Sequence, residues 1–198
     1  MPGNVRLSTI FSGTNSLTLD PRGSAYLAPG LATGVVFMHR IAALLIPILL
    51  ALFGALAPAG EKAKAFEHSA EEKKLFELTN EERKKKDIAP LALNAPLSKI
   101  ARAHSLNMAT QGKMEHKLDD KTPFDRLRDA SFNFLSAAEN IAAGENGITL
   151  PMIMKAWMES KGHSANILEA EYTDIGVGIA RDKEGKIYFT QVFARTQK

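Results

Sequence analysis

The chain has 198 residues, a formal net charge of +3 and no cysteine. This length suits one folded domain with an appendage, because single cores typically organise about 100 to 150 residues. The lack of cysteine excludes a disulfide framework, a thiolate zinc site, a cysteine nucleophile and a cysteine-linked lipid anchor. Residues 1–59 carry a net charge of +2, which leaves +1 for residues 60–198. With this balance and no basic stripe, we expect no nucleic-acid binding.

Residues 1–59 are predicted to direct export rather than to fold. Residues 2–37 are rich in Gly, Ser, Thr and Pro and show no sustained helical or strand period. Met38 and a His-Arg pair then precede an apolar run, and Ala57-Pro58-Ala59 supplies small residues where a signal peptidase accepts them. We expect a signal peptide from Met38 that is cleaved after Ala59, with residues 1–37 untranslated or a disordered extension.

Two alternatives to a cleaved signal peptide exist for the apolar run. One is an uncleaved membrane anchor, although about 16 to 18 apolar residues are short for a span of roughly 20. The other is a buried core helix. If the apolar run is a membrane anchor, any membrane contact of the chain is confined to this N-terminal segment.

After a polar linker at residues 60–69, the sequence predicts four helices. They are residues 70–86, a segment from Pro96 to a stop at Gly112, a short helix near residues 123–130, and a segment from about residue 149 to 160. In the first helix, Asn80 and Arg83 lie one turn apart and are interpreted as a surface or capping pair. In the second, His104 lies on the apolar stripe and is interpreted as a hydrogen-bonded core residue.

The C-terminal part predicts a β-hairpin. Residues 174–180 and 187–193 are rich in β-formers, and a turn separates them at residues 182–185. Gly176 and Gly178 leave one strand face bare, so we expect a helix to pack closely there. Helices first and antiparallel strands last predict an α+β domain built in layers.

Three residues stand out as candidates for a polar cleft. His116 lies beyond the predicted end of helix two, and His163 follows Gly162 at the predicted end of helix four. Side chains at such positions face clefts more often than cores. Glu139 is flanked by small and apolar residues, so it is either exposed by a turn or buried with a histidine, an arginine or backbone amides as its partner.

A set of short motifs in this order resembles the CAP superfamily, which comprises the cysteine-rich secretory, antigen 5 and pathogenesis-related 1 proteins, here in a cysteine-free bacterial form. The resemblance covers about residues 70–195. The motifs are Asn80-x-x-Arg83, Leu93-Asn94-x-x-Leu97, Met114-Glu115-His116, Ala138-Glu139-Asn140-Ile141, Trp157-x-x-Ser160-x-Gly162-His163-x-x-Asn166-Ile167-Leu168, Ile175-Gly176-Val177-Gly178 and Thr190-Gln191-Val192-Phe193.

The resemblance implies a three-layer α-β-α sandwich with a central antiparallel sheet. It also implies a cleft with two histidines and two glutamates that can hold a divalent metal. His116, Glu139 and His163 match three of these four positions. The fourth is Ser160, where the animal and plant branch has a glutamate; Glu159, a possible substitute, is one residue earlier and would point about 100° away around a helix.

The chemistry of these groups leaves three functions open. Two neutral imidazoles, His116 and His163, with a carboxylate suit zinc or a similar divalent ion, and an open ligand position would resemble a hydrolytic centre. Alternatively, Glu139 only orients the imidazoles by hydrogen bonds. Ser160 and Ser164 lie near His163 in sequence, but neither has an evident base and oxyanion hole.

The candidate functions are therefore a secreted or cell-envelope module that binds a metal or small ligand, a metal-assisted hydrolase acting on protein or cell-wall polymer, and an exported structural domain with a vestigial cleft. The expected partner is an unidentified envelope or extracellular molecule, and a lipid is suggested by the family resemblance alone. We expect a monomer.

Overall fold

The computed structural model describes residues 5–14, 66–145 and 147–196, with the backbone alone for residues 9–14. All of these belong to one structural unit. The elements are, in chain order, β1 Val5–Thr14, α1 Ala70–Lys84, β2 Ala92–Leu93, α2 Ala95–Gln111, α3 Pro123–Asp129, β3 Ser136–Gly144, α4 Leu150–Glu159, α5 Lys161–Leu168, β4 Asp174–Arg181 and β5 Ile187–Arg195. The predicted signal peptide, its cleavage point and the linker up to residue 65 lie outside the described residues. Among the described helices, none has the length and apolar character needed to cross a bilayer.

The described strands form one sheet in the order β1-β3-β5-β4-β2. The predicted β4–β5 hairpin is confirmed, and β1, β3, β5 and β4 pair antiparallel along the sheet. However, β2 pairs in parallel with β4. The sheet is therefore mixed, and the prediction of a purely antiparallel sheet is wrong at this edge. The two residues of β2 lie on the short connection from α1 to α2, so the route between those helices sets the direction of the strand.

Helices cover both faces of the sheet, which confirms the predicted α+β, three-layer α-β-α architecture. β5 shows the division, because successive side chains of a strand point to opposite faces. Phe189 packs with Trp157 of α4 on the face that also carries α1 and α5. Val192 packs with Leu97 of α2 and Leu127 of α3 on the other face.

The glycines of β4 allow α2 to lie directly on the sheet, as predicted. A Cβ atom at Gly176 would be 2.3 Å from the backbone carbon of Leu97. A Cβ atom at Gly178 would be 2.2 Å from the backbone nitrogen of Arg102. Ser105 adds a hydrogen bond from its hydroxyl to the Gly178 carbonyl at 2.9 Å. This close approach holds α2, and the side chains it carries, at a fixed height above the sheet.

Three elements differ from the sequence predictions. Val5–Thr14 forms a strand within the region predicted to lack structure, and it pairs with β3. Ser136–Gly144 also forms a strand. The sequence does not predict it, because most of its residues are small and do not alternate between polar and apolar. Finally, His163 lies inside α5, which begins immediately after Ser160 adopts an extended conformation at the end of α4. Gly162 is therefore not the helix stop that the sequence suggests.

The pair Asn80 and Arg83 is not a surface pair. Arg83 is fully buried and donates hydrogen bonds to the carbonyls of Ala89, Ile167 and Glu169, each at 2.8 Å. The Asn80 side chain bonds both the N–H and the C=O of a residue in the loop after α1. Together the two residues tie α1 to that loop and to the end of α5.

Candidate functional site

Glu139 is the centre of a buried polar cluster between β3 and the layer of α2 and α3. Its side chain is fully buried. Oε1 lies 2.8 Å from Nδ1 of His116, and Oε2 accepts a hydrogen bond from Nη2 of Arg126 at 2.7 Å. Of the two alternatives for Glu139, the structure confirms burial with partners, and the partners are a histidine and an arginine.

Arg126 binds both the backbone of His116 and the carboxylate of Glu139. It was not singled out from the sequence. Its Nη1 donates to the carbonyl of His116 at 2.9 Å and to that of Lys121 at 3.1 Å, while Nη2 reaches Glu139. The arginine thus fixes the carboxylate and the backbone of the histidine that faces it. The signal that could have found it is the predicted need of Glu139 for a basic partner close to His116.

His104 also faces the cluster, from the buried side of α2. Its Nε2 lies 3.7 Å from Oε1 of Glu139, and its side chain is fully buried. Neither ring nitrogen makes a well-formed hydrogen bond within the described part of the chain. Burial lowers the pKa of His104 to about 4, although the charge of Glu139 and the nearby backbone of Glu115 oppose this shift. His104 is therefore a neutral core residue, as predicted, but it borders the candidate site and lacks the expected hydrogen bond.

The charge state of Glu139 decides which ring nitrogen of His116 carries the proton. Burial opposes ionisation of Glu139, but the hydrogen bond from His116 and the positive charge of Arg126 outweigh it, so the pKa of Glu139 lies below its usual value. An ionised carboxylate only accepts hydrogen bonds, so Nδ1 of His116 carries the proton. In a neutral imidazole the proton at Nδ1 leaves a lone pair on Nε2. That Nε2 atom is buried and has no hydrogen-bond partner within the described residues.

His163 is buried in α5, which packs near β3. Its Nδ1 lies 2.8 Å from the hydroxyl oxygen of Ser160, and its carbonyl accepts a hydrogen bond from the Asn140 amide at 3.2 Å. Asn140 in turn accepts a hydrogen bond from Asn166 at 2.9 Å. These buried amides connect the start of α5 to β3. Burial lowers the pKa of His163, while the backbone of Ser8 opposes this shift.

The two candidate metal-binding histidines share one electrostatic neighbourhood. The proximity of His116 contributes to the lowered pKa of His163. Like that of His116, Nε2 of His163 is buried and makes no well-formed hydrogen bond among the described residues, although the backbone of Ser8 lies near the ring. Within the same residues, no group of three or more His, Asp or Glu side chains is arranged to hold a metal ion. The histidines thus offer two free nitrogens, and Glu139 is already occupied by His116 and Arg126.

The remaining candidates have other positions. Glu159 is exposed at the end of α4, where it forms an ion pair with Lys155 at 3.8 Å. The structure does not bring Glu159 to the cluster, so it does not supply the fourth family position. The hydroxyl of Ser164 donates to the carbonyl of Ser160 at 2.9 Å, which is a helix contact rather than a nucleophile pointing at a base.

Comparison with known proteins adds the family context. The model of the cysteine-rich secretory protein family (CAP) matches residues 76–193. The uncharacterized protein YkwD of Bacillus subtilis is 40% identical over 128 residues, which are 64% of this chain and 48% of that protein. The uncharacterized membrane protein YlbC of the same organism is 32% identical over 140 residues, 70% of this chain and 38% of that protein. The chain thus spans half or less of the length of these relatives.

Solved structures agree on the fold. An outer surface protein of Borrelia burgdorferi superimposes with a TM-score of 0.61 at 22% identity, over 67% of this chain and 97% of that one. An extracellular protein of Bacillus anthracis that contains an SCP domain superimposes with a TM-score of 0.57 at 29% identity, over 64% and 40%. The family match covers more than half of the chain, and the matched residues include the polar cluster. The chain belongs to the cysteine-rich secretory protein (CAP) family.

Proposed function

We propose that this chain is an exported domain of the cell envelope or the extracellular space whose cleft binds a divalent metal ion through His116 and His163. One observation carries the proposal: the Nε2 atoms of both histidines are buried and lack hydrogen-bond partners within the described residues. Leaving a buried polar atom unsatisfied costs about 1–3 kcal/mol. A metal ion would satisfy both nitrogens at once, and imidazole nitrogen is a preferred ligand of zinc.

Glu139 acts in this proposal as the residue that orients a ligand. Histidines that bind metals commonly donate their other N–H to a carboxylate, which sets the tautomer and makes the binding nitrogen more basic. The contact of 2.8 Å between Nδ1 of His116 and Oε1 of Glu139 has this form. Arg126 keeps the carboxylate in place by occupying its second oxygen. Because both oxygens of Glu139 are engaged, this geometry supports an orienting role over direct coordination.

A zinc ion held by two histidines would leave ligand positions for water or a small ligand, and zinc can lower the pKa of bound water to about 7. This is the chemistry that a metal-assisted hydrolase would need. Glu139, the carboxylate of the cluster, is engaged by His116 and Arg126 rather than held for a water molecule, so we propose binding rather than hydrolysis. A structural domain with a vestigial cleft is the outcome if no metal binds.

Export is supported by two independent features. The sequence predicts a signal peptide from Met38 to Ala59. Proteins similar in structure include one named as an outer surface protein and one named as extracellular. We therefore expect the partner of this chain at the cell envelope or outside the cell. A lipid partner rests on the family resemblance alone.

Calorimetric titration of zinc into the purified apo protein at pH 7.5 and pH 5.5 tests the metal proposal. A protonated imidazole cannot bind a metal ion, so proton competition should lower the affinity at the lower pH; burial lowers the pKa of His163 and moves its part of this loss to lower pH. The His116→Ala, His163→Ala double variant should lose binding. Glu139→Gln should weaken binding by about 10- to 100-fold, as expected when a residue that orients a ligand is changed.

Glu159→Gln is the matched control, because it removes an exposed carboxylate that forms only a surface ion pair. Its zinc affinity should equal that of the wild type. Absence of binding at both pH values, or binding unaffected by the double histidine variant, would leave the cluster as a structural hydrogen-bond network. Cleavage of a labelled protein or cell-wall polymer by the zinc-loaded protein, lost in the double variant, would favour the hydrolase instead.

A further inference from the structure

The outer edge of β3 lacks the features that natural edge strands use to prevent pairing. The strand has nine residues, Ser-Ala-Ala-Glu-Asn-Ile-Ala-Ala-Gly, with no proline and no lysine. Its one charged residue, Glu139, points inward and is fully buried. Proteins usually protect a long edge with charges, prolines, bulges or a covering element. An edge of this composition is therefore suited to pair with another strand.

In this structure β1 covers that edge. The two strands pair antiparallel from Val5 opposite Gly144 to Thr14 opposite Ser136, with a shift in register between Ile10 and Gly13. The backbone of β3 thus pairs with β1 along most of its length, with an interruption at Ala138 where the register shifts. This geometry is that of strand addition, in which main-chain hydrogen bonds supply affinity and side chains at alternate positions supply specificity.

The side chains of β1 show which peptides the edge fits. Val5 and Leu7 are partly buried and pack against the core on the face of α4 and α5, whereas Arg6 is exposed. Leu7 lies opposite Ala142, and the small side chain of that alanine leaves room for a larger one from the added strand. The edge therefore fits an extended segment with apolar residues opposite Gly144 and Ala142 and a polar residue between them.

The position of β1 links this edge to the candidate site. The backbone of Ser8 lies close enough to His163 to influence its ring, and Ile10 pairs with Glu139 itself. An occupant of the edge therefore runs alongside the polar cluster. A peptide bound there would place its own backbone next to both residues.

The connection between β1 and the domain makes this occupant exchangeable. Residues 15–65 separate β1 from the first described residue of the domain. Because β1 is covalently attached, it acts at the edge with an effective local concentration, on the order of millimolar for a short linker and lower for a longer one. β1 is thus held by the free energy of strand pairing and by the local concentration that its covalent connection provides. The cleavage predicted after Ala59 would remove that local concentration.

We propose that the outer edge of β3 is a docking site for an extended peptide with apolar side chains opposite Gly144 and Ala142, and that β1 occupies this site in the intact chain. The occupant outside this chain is a peptide segment with the pattern of β1, which binds by strand addition beside the polar cluster. The proposal rests on the sheet edge and does not require that the cleft bind a metal.

The test uses the full chain with the two substitutions Leu7→Pro and Ser8→Pro. These remove two consecutive backbone N–H donors, one of which faces β3. The matched control, Leu7→Val and Ser8→Thr, keeps both donors and the tendency to form a strand. The probe is a fluorescein-labelled synthetic peptide with the sequence of residues 5–14, measured by fluorescence anisotropy. The proline variant should bind it at least about tenfold more tightly than the control, because β1 competes for the edge in the control.

Equal affinity of both variants for the peptide, or no binding by a folded proline variant, would overturn the proposal. A proline variant that forms dimers which excess peptide does not dissociate would show that the edge pairs with a second copy instead. A labelled peptide that carries the same two prolines should not bind either variant.

A second measurement applies even if the proline variant does not fold. A specific protease site inserted between Gly30 and Leu31 cuts the tether while the sequence of β1 stays intact. After cleavage, excess labelled peptide should exchange into the domain, and the released fragment should appear free on size-exclusion chromatography. If the fragment never exchanges, or if it leaves and no peptide replaces it, the edge is not a peptide-docking site.

Discussion

Replacing Gly178 by alanine should lower the free energy of unfolding by about 2 to 4 kcal/mol. The new Cβ would lie 2.2 Å from the backbone carbon of Ala101 and from the backbone nitrogen of Arg102. Carbon atoms in contact normally lie about 3.5 to 4.0 Å apart, so α2 and β4 must separate by more than about 1 Å. The obstacle is helix backbone, which cannot rotate away as a side chain can.

This displacement should also disturb the candidate site, because α2 carries His104 against Glu139. Ser105 would lose its hydrogen bond to the Gly178 carbonyl as the helix moves. Zinc affinity should therefore fall together with stability if the cleft binds metal. In a protein with a total stability of about 5 to 15 kcal/mol, the expected loss is large enough to measure accurately.

Urea unfolding followed by circular dichroism measures the change, with Gly112→Asn as the control. Gly112 ends α2 with φ of 65°, and a Cβ atom added there would have no other atom within 4 Å. Asparagine tolerates this left-handed conformation, so the control should change stability by less than about 1 kcal/mol. A Gly178→Ala protein within about 0.5 kcal/mol of the wild type, the range of ordinary surface changes, would refute the argument that α2 rests on a bare strand.

Three further predictions concern a buried arginine, a buried histidine and the N-terminus. Arg83→Lys should lower stability by about 2 to 4 kcal/mol, because a single ammonium nitrogen cannot reach all three carbonyls that Nε and Nη1 of the buried guanidinium bond at 2.8 Å; an unchanged urea midpoint would contradict this. Lowering the pH from 7 to 5 should cost about 2 kcal/mol through His104, because the unfolded chain takes up a proton near pH 6.5 and the folded chain only near a pKa of about 4. His104→Gln should reduce that pH dependence in urea titrations, leaving the part due to His163, whose pKa burial also lowers. Exported protein should begin at Gly60, which N-terminal sequencing checks; residues 1–37 still attached would contradict the predicted signal peptide.

Local patterns in the sequence were sufficient to predict most elements of the fold. The period of apolar residues placed helices α1 to α4, and β-formers around a turn placed the β4–β5 hairpin. Gly176 and Gly178 predicted the helix that packs on β4. Each of these signals is local: it lies within a few residues of the element, or it is the absence of a side chain at a glycine. Resemblance to the CAP family then identified His116, Glu139 and His163 as the residues to examine.

The tertiary structure alone decided how these parts meet. Arg126 became a member of the site only because α3 packs against the face of β3 that carries Glu139. β3 has no strong strand pattern, because small residues make up most of it and pairing with β1 and β5 provides its order. Burial of His104 beside Glu139 likewise depends on the contact of α2 with the sheet. Local sequence specifies the tendency of a segment to form a helix or a strand, but contacts between segments far apart in the chain determine which polar groups are buried together.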